Sequence, residues 1–214
     1  MSIGRLVSVN IGSPEKIGAK SFLTGIFKRP AGGRVSIGKE GLEHDAIIDR
    51  KHHGGPDQAV YAYFADDYDW WSRELGEIVA PGTFGDNLTI DGVEGRAVCV
   101  GDRFTIGDVV LEVTSHRTPC MTLAARMGDP GFVRRFHRAN RPGAYFRVIA
   151  PGAVGAGDAI DYGRFDGERV SVAELMALDG ARDIPPAMLR RALAAPVHYK
   201  MRQDFEERLA RLFP

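Results

Sequence analysis

The chain has 214 residues, of which 44% are hydrophobic and 26% charged, a composition typical of a globular protein with one substantial core. Its 28 basic residues balance 28 acidic ones, so nothing in the net charge indicates binding to nucleic acid or to a membrane surface. No apolar run approaches the ~20 residues of a membrane span, and the N-terminus lacks the core of a signal peptide. We therefore expect a cytoplasmic protein.

Short strands are predicted for most of the chain from residue 3 to about 163, separated by turns of Gly, Asp and Pro. Gly101-Asp102 and Gly107-Asp108 punctuate three consecutive runs, as in a meander or a barrel. The predicted strands are residues 5–11, 58–64, 87–90, 96–100, 103–106, 109–114, 144–149 and 159–162. So many short strands favour a mainly β fold, a barrel or sandwich, over a doubly wound sheet.

Two helical insertions interrupt these strands. The first is predicted for residues 66–75, with Asp66 as the N-cap and Gly76 as the stop. The second covers residues 121–138 and is broken near residues 128–131, where two glycines flank Asp and Pro.

After about residue 165 the pattern becomes helical. Three short helices are predicted, over residues 172–178, 185–194 and 198–213. Ser171 has the spacing of a capping box with Glu174. We therefore predict two domains, a barrel over residues 1–165 and a three-helix segment over residues 166–214.

Cys120 is the strongest candidate for a reactive residue. It ends the segment His-Arg-Thr-Pro-Cys, which follows an apolar strand and precedes a predicted helix. The neighbouring Arg117 and a helix N-terminus both favour the thiolate over the thiol. Cys99, the other cysteine, lies in an apolar run and is expected to be inert.

Two further segments have the character of a ligand site. In the run His53-Gly54-Gly55-Pro56, glycines allow positive φ and let a ligand come close to the main chain, although a simple tight loop remains an alternative. Asn87 begins a strand after a glycine-rich turn, where its amide can both donate and accept hydrogen bonds. Residues 152–157 are rich in glycine but lead into a strand, so we predict a turn rather than a dinucleotide loop.

In this order, the segments resemble the MOSC-domain family of molybdenum-cofactor-binding β-barrels. More narrowly, they are similar to the YiiM type, the 6-N-hydroxylaminopurine resistance proteins. The matching segments are GLEHD at residues 41–45, HGGPDQAV at 53–60, FGDNL at 84–88, GD at 101–102, RTPC at 117–120 and YFRVIAPG at 145–152. The resemblance implies a MOSC-type β-barrel with inserted helices, followed by three C-terminal helices.

The resemblance also implies a site. Cys120 would be the protein ligand to molybdenum, with Arg117 beside it as a second catalytic residue, and Asn87 would line the pocket of the molybdenum cofactor, a molybdopterin. The remaining predicted cofactor contacts are a hydroxyl, an imidazole and three cations, which would meet phosphate and oxo groups. They are Thr118, His53, Lys16, Lys51 and Arg147.

Two positions depart from the family pattern. His44 stands where glycine is usual, so this turn is expected either to change its backbone or to gain a pocket side chain. Gln58 stands where a lysine or arginine is frequent, which removes a charge that a cofactor or substrate would meet.

The leading functional hypothesis is a molybdenum-dependent reductase that converts N-hydroxylated compounds, such as 6-N-hydroxylaminopurine, into amines. The sequence shows no flavin or iron–sulfur motif, so electrons are expected from a separate flavin-dependent reductase. Nucleic acid and membranes are not expected partners, and a homodimer is left open. The rival hypotheses are a carrier of the cofactor or of a persulfide on Cys120, without turnover, and a hydrolase that pairs Cys120 with His53 or His116.

Overall fold

The computed structural model describes residues 4–18, 23–49 and 53–212, and this part of the chain is built mainly of strands. In chain order the strands are β1 (Gly4–Gly12), β2 (Glu15–Lys16), β3 (Leu23–Thr24), β4 (Lys28–Pro30), β5 (Val35–Gly38), β6 (Gly41–Leu42), β7 (Val60–Phe64), β8 (Leu88–Asp91), β9 (Arg103–Ile106), β10 (Val109–Ser115), β11 (Ala144–Ala150), β12 (Gly152–Val154) and β13 (Ala159–Gly163). The helices are α1 (Ala65–Leu75), α2 (Met121–Arg126), α3 (Phe132–Ala139), α4 (Val172–Met176), α5 (Pro186–Ala194) and α6 (Tyr199–Leu212).

Seven of these strands close into a barrel. Their order is β13, β9, β10, β11, β7, β8 and β1, and β1 pairs back with β13. Neighbours are antiparallel except β7 and β8, which run parallel, so the barrel is mixed. The predicted mainly β fold, a barrel with inserted helices, is confirmed.

The strand β7 separates two apolar clusters because both of its faces are buried. Val60, Ala62 and Phe64 contribute to the cluster inside the barrel. Tyr61 and Tyr63 point the other way, as alternation along a strand requires, and join a second cluster with aromatic residues of α1 and α3. The inserted helices therefore cover the outer face of the barrel, and Tyr61 lies on that face.

Two of the predicted backbone conformations are wrong. Residues 96–100 do not form a strand but a 3-10 turn, Gly95–Ala97, followed by a single bridge from Cys99 to Ser171. The chain turns here because the Asp102 carboxylate accepts a hydrogen bond from the Cys99 N–H at 2.8 Å. The predicted turn at residues 152–157 begins instead as the strand β12, which pairs with β5.

The helix predictions are confirmed except for one cap. α1 begins one residue early, so Asp66 lies in its first turn and Phe64 takes the N-cap position, while Gly76 ends the helix with φ 73°. The capping box of Ser171 and Glu174 is present at the start of α4. Helices α4 to α6 share an apolar cluster of their own, to which Val100 from the barrel side contributes. The domain boundary at residue 165 stays a prediction.

Within the described ranges, none of the helices has both the length and the apolar character needed to cross a membrane.

Candidate active site

A cavity of about 470 Å³ opens on the outer face of the barrel beside Tyr61. Most of its wall comes from four stretches, around residues 23–28, 45–49 and 53–61 and at the connection from β10 to α2, and Gly85, Asn87 and Tyr145 complete it. Gly54 adopts φ 80°, and a Cβ added to it would lie 3.2 Å from Ile47, so this wall requires glycine. A concave site of this size fits a small molecule or a cofactor.

Cys120 lies in this wall, at the N-cap of α2 and five residues after the end of β10. Partial burial disfavours its thiolate, but a hydrogen bond from His53 and the charge of Arg117 outweigh that effect. The N–H groups of Thr122 and Leu123 act in the same direction, and together these groups lower the pKa of Cys120 to about 6. At pH 7 the thiolate therefore outnumbers the thiol by about ten to one.

Arg117 is a buried cation on the same wall, 4% exposed. Burial disfavours its charge, but Tyr61, Tyr145 and Cys120 outweigh this and raise its pKa above the usual value. The guanidinium carbon lies 5.4 Å from the centre of the Tyr61 ring, in a cation–π contact. Its Nη1 finds no hydrogen-bond partner among the described residues. A buried donor left unpaired is costly, so this nitrogen suits an anionic or strongly polar ligand.

Asn87 also lines the cavity, but its amide is engaged by the protein. Its oxygen accepts from the Tyr61 N–H at 3.2 Å, and its Nδ2 donates to Asp45 at 2.9 Å and to the Asn10 carbonyl at 3.4 Å. Asn87 thus ties Asp45 and β7 together and shapes the cavity from within the wall.

A buried ion pair of Lys28 and Asp45 was missed by the sequence analysis. The Lys28 Nζ lies 2.5 Å from both carboxylate oxygens of Asp45, and the two side chains are 8% and 3% exposed. Burial lowers the pKa of Lys28, against the opposing attraction of Asp45. One signal was available: alternation through Ile26 and Lys28 places both side chains on one face, and both are buried.

His44 adopts a backbone conformation that glycine takes most easily. Its φ of 64° lies in the left-handed region, and its side chain is 81% exposed beside Glu43. Of the two expected consequences of this departure, the pocket side chain is not observed, and the change of backbone stays a prediction. Gln58, the other departure, does line the cavity, with an uncharged side chain.

The structure brings Cys120, Arg117, Asn87 and His53 together around one cavity. Three other predicted cofactor contacts, Lys16, Thr118 and Arg147, do not line it. Lys16 is exposed on β2, and Thr118 donates a hydrogen bond to Asp179 at 3.0 Å.

Arg147 binds Asp57 at 3.0 Å and the Pro196 carbonyl at 3.1 Å, which places it at the contact with the C-terminal helices. Lys51 lies outside the described residues.

The two histidines considered as partners of Cys120 differ in their contacts. His53 hydrogen-bonds the Cys120 side chain, and its Nδ1 lies 3.4 Å from the Tyr145 hydroxyl. His116 is buried and points its Nε2 at Asp179, 3.0 Å away. His53 is therefore the imidazole that influences the thiol directly.

The family model of the MOSC domain matches residues 49–161, which include Cys120, Arg117, Asn87 and His53. This chain belongs to the MOSC-domain family. The Bacillus subtilis protein YflK is 37% identical over 154 residues, which cover 71% of this chain and 70% of YflK. The crystal structure of YiiM from Geobacillus stearothermophilus matches with a TM-score of 0.80 at 26% identity, covering 96% of this MOSC protein and 99% of that chain. The predicted relationship to the YiiM type is confirmed.

A Gibberella moniliformis protein named Reductase is 29% identical over 199 residues. The match covers 91% of this MOSC protein and 35% of the fungal one, so this chain corresponds to about a third of that longer protein.

Proposed function

We propose that this MOSC protein is an oxidoreductase that uses the molybdenum cofactor to reduce N-hydroxylated compounds, such as 6-N-hydroxylaminopurine, to amines. The observation that carries the proposal is the Cys120 thiolate, held beside a buried arginine with a spare donor in a cavity of small-molecule size. Membership of the MOSC family and the likeness to a protein named Reductase support oxidoreductase chemistry.

The residues of the cavity suit this cofactor. A thiolate is a soft ligand of the kind that binds metals with sulfur-rich coordination, and Cys120 offers one at neutral pH. Arg117 would bind an anionic oxygen of the cofactor through its unpaired Nη1. The positive φ of Gly54 and Gly55 allows a bound group to approach the main chain. When bound, the cofactor supplies two-electron redox chemistry at molybdenum.

The overall reaction breaks the N–O bond and consumes two electrons and two protons, so that nitrogen leaves as the amine and oxygen as water. Lys28 holds a proton at Nζ on the cavity wall, and the lowering of its pKa by burial makes this proton easier to transfer. Asp45 accepts hydrogen bonds from the Gly12 N–H at 2.8 Å and from Asn87, which keeps the ion pair in position.

In this proposal the electrons come from a separate flavin-dependent reductase. Cys120 is only half-buried, and Met121 beside it is 57% exposed, so a docked partner has access to the region of the thiolate.

The test compares the wild-type protein with Cys120→Ala and, as a matched control, Cys99→Ala. All three are produced in cells that make the cofactor, supplied with a chemical reductant, and assayed for conversion of 6-N-hydroxylaminopurine to adenine. Cys99 is buried away from the cavity, and burial raises its pKa, so its loss should leave turnover intact. We expect Cys120→Ala to lose turnover. Equal rates in Cys120→Ala and wild type would contradict the proposal.

A second candidate function is favoured by the same thiol. A half-buried cysteine with a lowered pKa also suits a carrier that holds a persulfide sulfur, or the cofactor itself, without turnover. Mass spectrometry of the native protein separates these functions: an adduct of about 32 Da on Cys120 indicates a persulfide. Bound pterin with turnover indicates the reductase, and bound pterin without turnover indicates a cofactor carrier.

A further inference from the structure

The segment that carries Arg117 and Cys120 is hydrogen-bonded to Asp179, a residue of the C-terminal helical segment. Asp179, three residues after the end of α4, places Oδ1 3.0 Å from the Nε2 of His116. Its Oδ2 accepts a hydrogen bond from the Thr118 hydroxyl at 3.0 Å. One carboxylate therefore holds the residues on both sides of Arg117.

The alternation of side chains explains how the hydrogen bonds of Asp179 can fix the position of Arg117. In an extended segment, neighbouring side chains point to opposite sides. His116 and Thr118 face Asp179, while Arg117 between them faces the cavity. Cys120 follows two residues later and begins α2.

We propose that Asp179 is a positioning residue, which holds residues 116–118 so that Arg117 and Cys120 share the cavity wall. This role concerns the thiol itself and holds whichever group occupies the cavity. It assigns to the C-terminal helical segment a part in shaping a site that otherwise belongs to the barrel.

The charges fit this role. Burial raises the pKa of Asp179, but the hydrogen bonds from His116 and Thr118 outweigh it and keep this pKa below its usual value, so the carboxylate is ionised. Hydrogen bonds to an ionised acceptor are stronger and more directional than neutral ones. The two hydrogen bonds restrain the residues on either side of Arg117.

Loss of Asp179 should not release the C-terminal segment, because other contacts dock it. The Val100 N–H donates to the Val170 carbonyl at 3.0 Å, and the His198 N–H donates to the Thr114 carbonyl at 2.9 Å. The Tyr199 N–H donates to Asp57 at 2.9 Å. A variant at position 179 is therefore expected to fold.

The test measures how the rate of Cys120 alkylation by iodoacetamide depends on pH, in protein made by cells that lack the molybdenum cofactor, so that no metal is bound to the thiol. All variants carry Cys99→Ala, so that Cys120 is the one thiol left to react. The variants are Asp179→Ala, Asp179→Asn and, as the matched control, Asp183→Asn, an exposed carboxylate four residues further along. Circular dichroism shows which of them are folded.

The positioning role and a simple charge effect predict opposite signs. Removing a negative charge near a thiolate would by itself lower the pKa of the thiol. Loss of positioning instead separates Arg117 from Cys120 and raises it. We expect the midpoint of Asp179→Ala to rise from about 6 by about one pH unit, so that alkylation at pH 6 slows about fivefold.

We expect a smaller rise for Asp179→Asn, which keeps one acceptor, and none for Asp183→Asn. A midpoint that stays at the wild-type value or falls in a folded Asp179 variant would overturn the proposal. If Asp179→Ala does not fold, the same outcomes are decided with Asp179→Asn.

Discussion

The buried pair of Lys28 and Asp45 gives the sharpest prediction about stability. Asp45→Asn removes the charge that faces the ammonium and leaves Lys28 in a wall where it is 8% exposed. Breaking a buried ion pair from one side typically costs about 3–5 kcal/mol.

An upper bound on the cost of the unpaired Lys28 ammonium is the free energy needed to remove its proton. Neutralising an ordinary lysine at pH 7 means a shift from about 10.4 to 7, which is about 3.4 units and about 4.6 kcal/mol. We therefore expect Asp45→Asn to lower the free energy of unfolding by about 3–4 kcal/mol at pH 7.

The loss should also depend on pH. If Lys28 is neutral in the folded variant, the unfolded chain binds more protons than the folded one, so stability rises with pH by up to about 1.4 kcal/mol per unit. The deficit of Asp45→Asn should therefore be smaller at pH 9 than at pH 7.

The assay is guanidinium unfolding followed by tryptophan fluorescence, since Trp71 is fully buried in the folded protein. The control is Glu15→Gln, which breaks the exposed pair with Arg29 and should cost less than about 1 kcal/mol. The double variant Lys28→Met with Asp45→Asn removes both charges, keeps an oxygen that can accept from the Gly12 N–H, and should recover part of the stability. An Asp45→Asn variant that loses no more stability than Glu15→Gln would show that Asp45 does not stabilise the charge of Lys28 in the folded protein.

Three further predictions concern single residues. His44→Gly should raise the free energy of unfolding by about 1 kcal/mol, because it relieves a left-handed residue at an exposed turn; an unchanged or lower denaturation midpoint would contradict this. Arg117→Met should raise the pH midpoint of Cys120 alkylation, since it removes a cation that favours the thiolate; a midpoint still near 6 would show that His53 suffices. Folding lowers the pKa of Cys120, so between the folded and unfolded pKa values the unfolded chain binds more protons than the folded one. The stability advantage of wild type over Cys120→Ser should therefore grow from pH 6 to pH 9. The same pH dependence of stability in both proteins would contradict a lowered pKa of Cys120.

The barrel could be predicted from the sequence because most of its strands are apolar or alternating runs bounded by turn residues. The run at residues 103–106 coincides with β9, and the alternation at residues 109–114 lies within β10. The strand prediction for residues 96–100 was wrong because the Cys99 N–H donates its hydrogen bond to the Asp102 side chain and not to a neighbouring strand. Local apolar content does not reveal such a side-chain cap.

Only part of the site could be predicted from the sequence, because some of its contacts join residues that are far apart in the chain. Cys120 and Arg117 lie in one short motif, so their proximity could be predicted from the chain alone. Asp45 lies 17 residues from Lys28, and Asp179 lies 63 residues from His116, and both contacts exist only once the chain is folded. Arg147 shows the converse, since a cation in a matched segment is taken up by Asp57 and Glu112 instead of facing the cavity.

The proposal that Cys120 holds the molybdenum cofactor is tested by elemental analysis of the purified protein. Wild type, Cys120→Ala and Cys99→Ala are purified from cells that make the cofactor, and molybdenum is measured per chain. Under this proposal we expect molybdenum near one atom per chain in wild type and in Cys99→Ala, and its loss in Cys120→Ala. As much molybdenum in Cys120→Ala as in wild type, or none in any of the three, would contradict it.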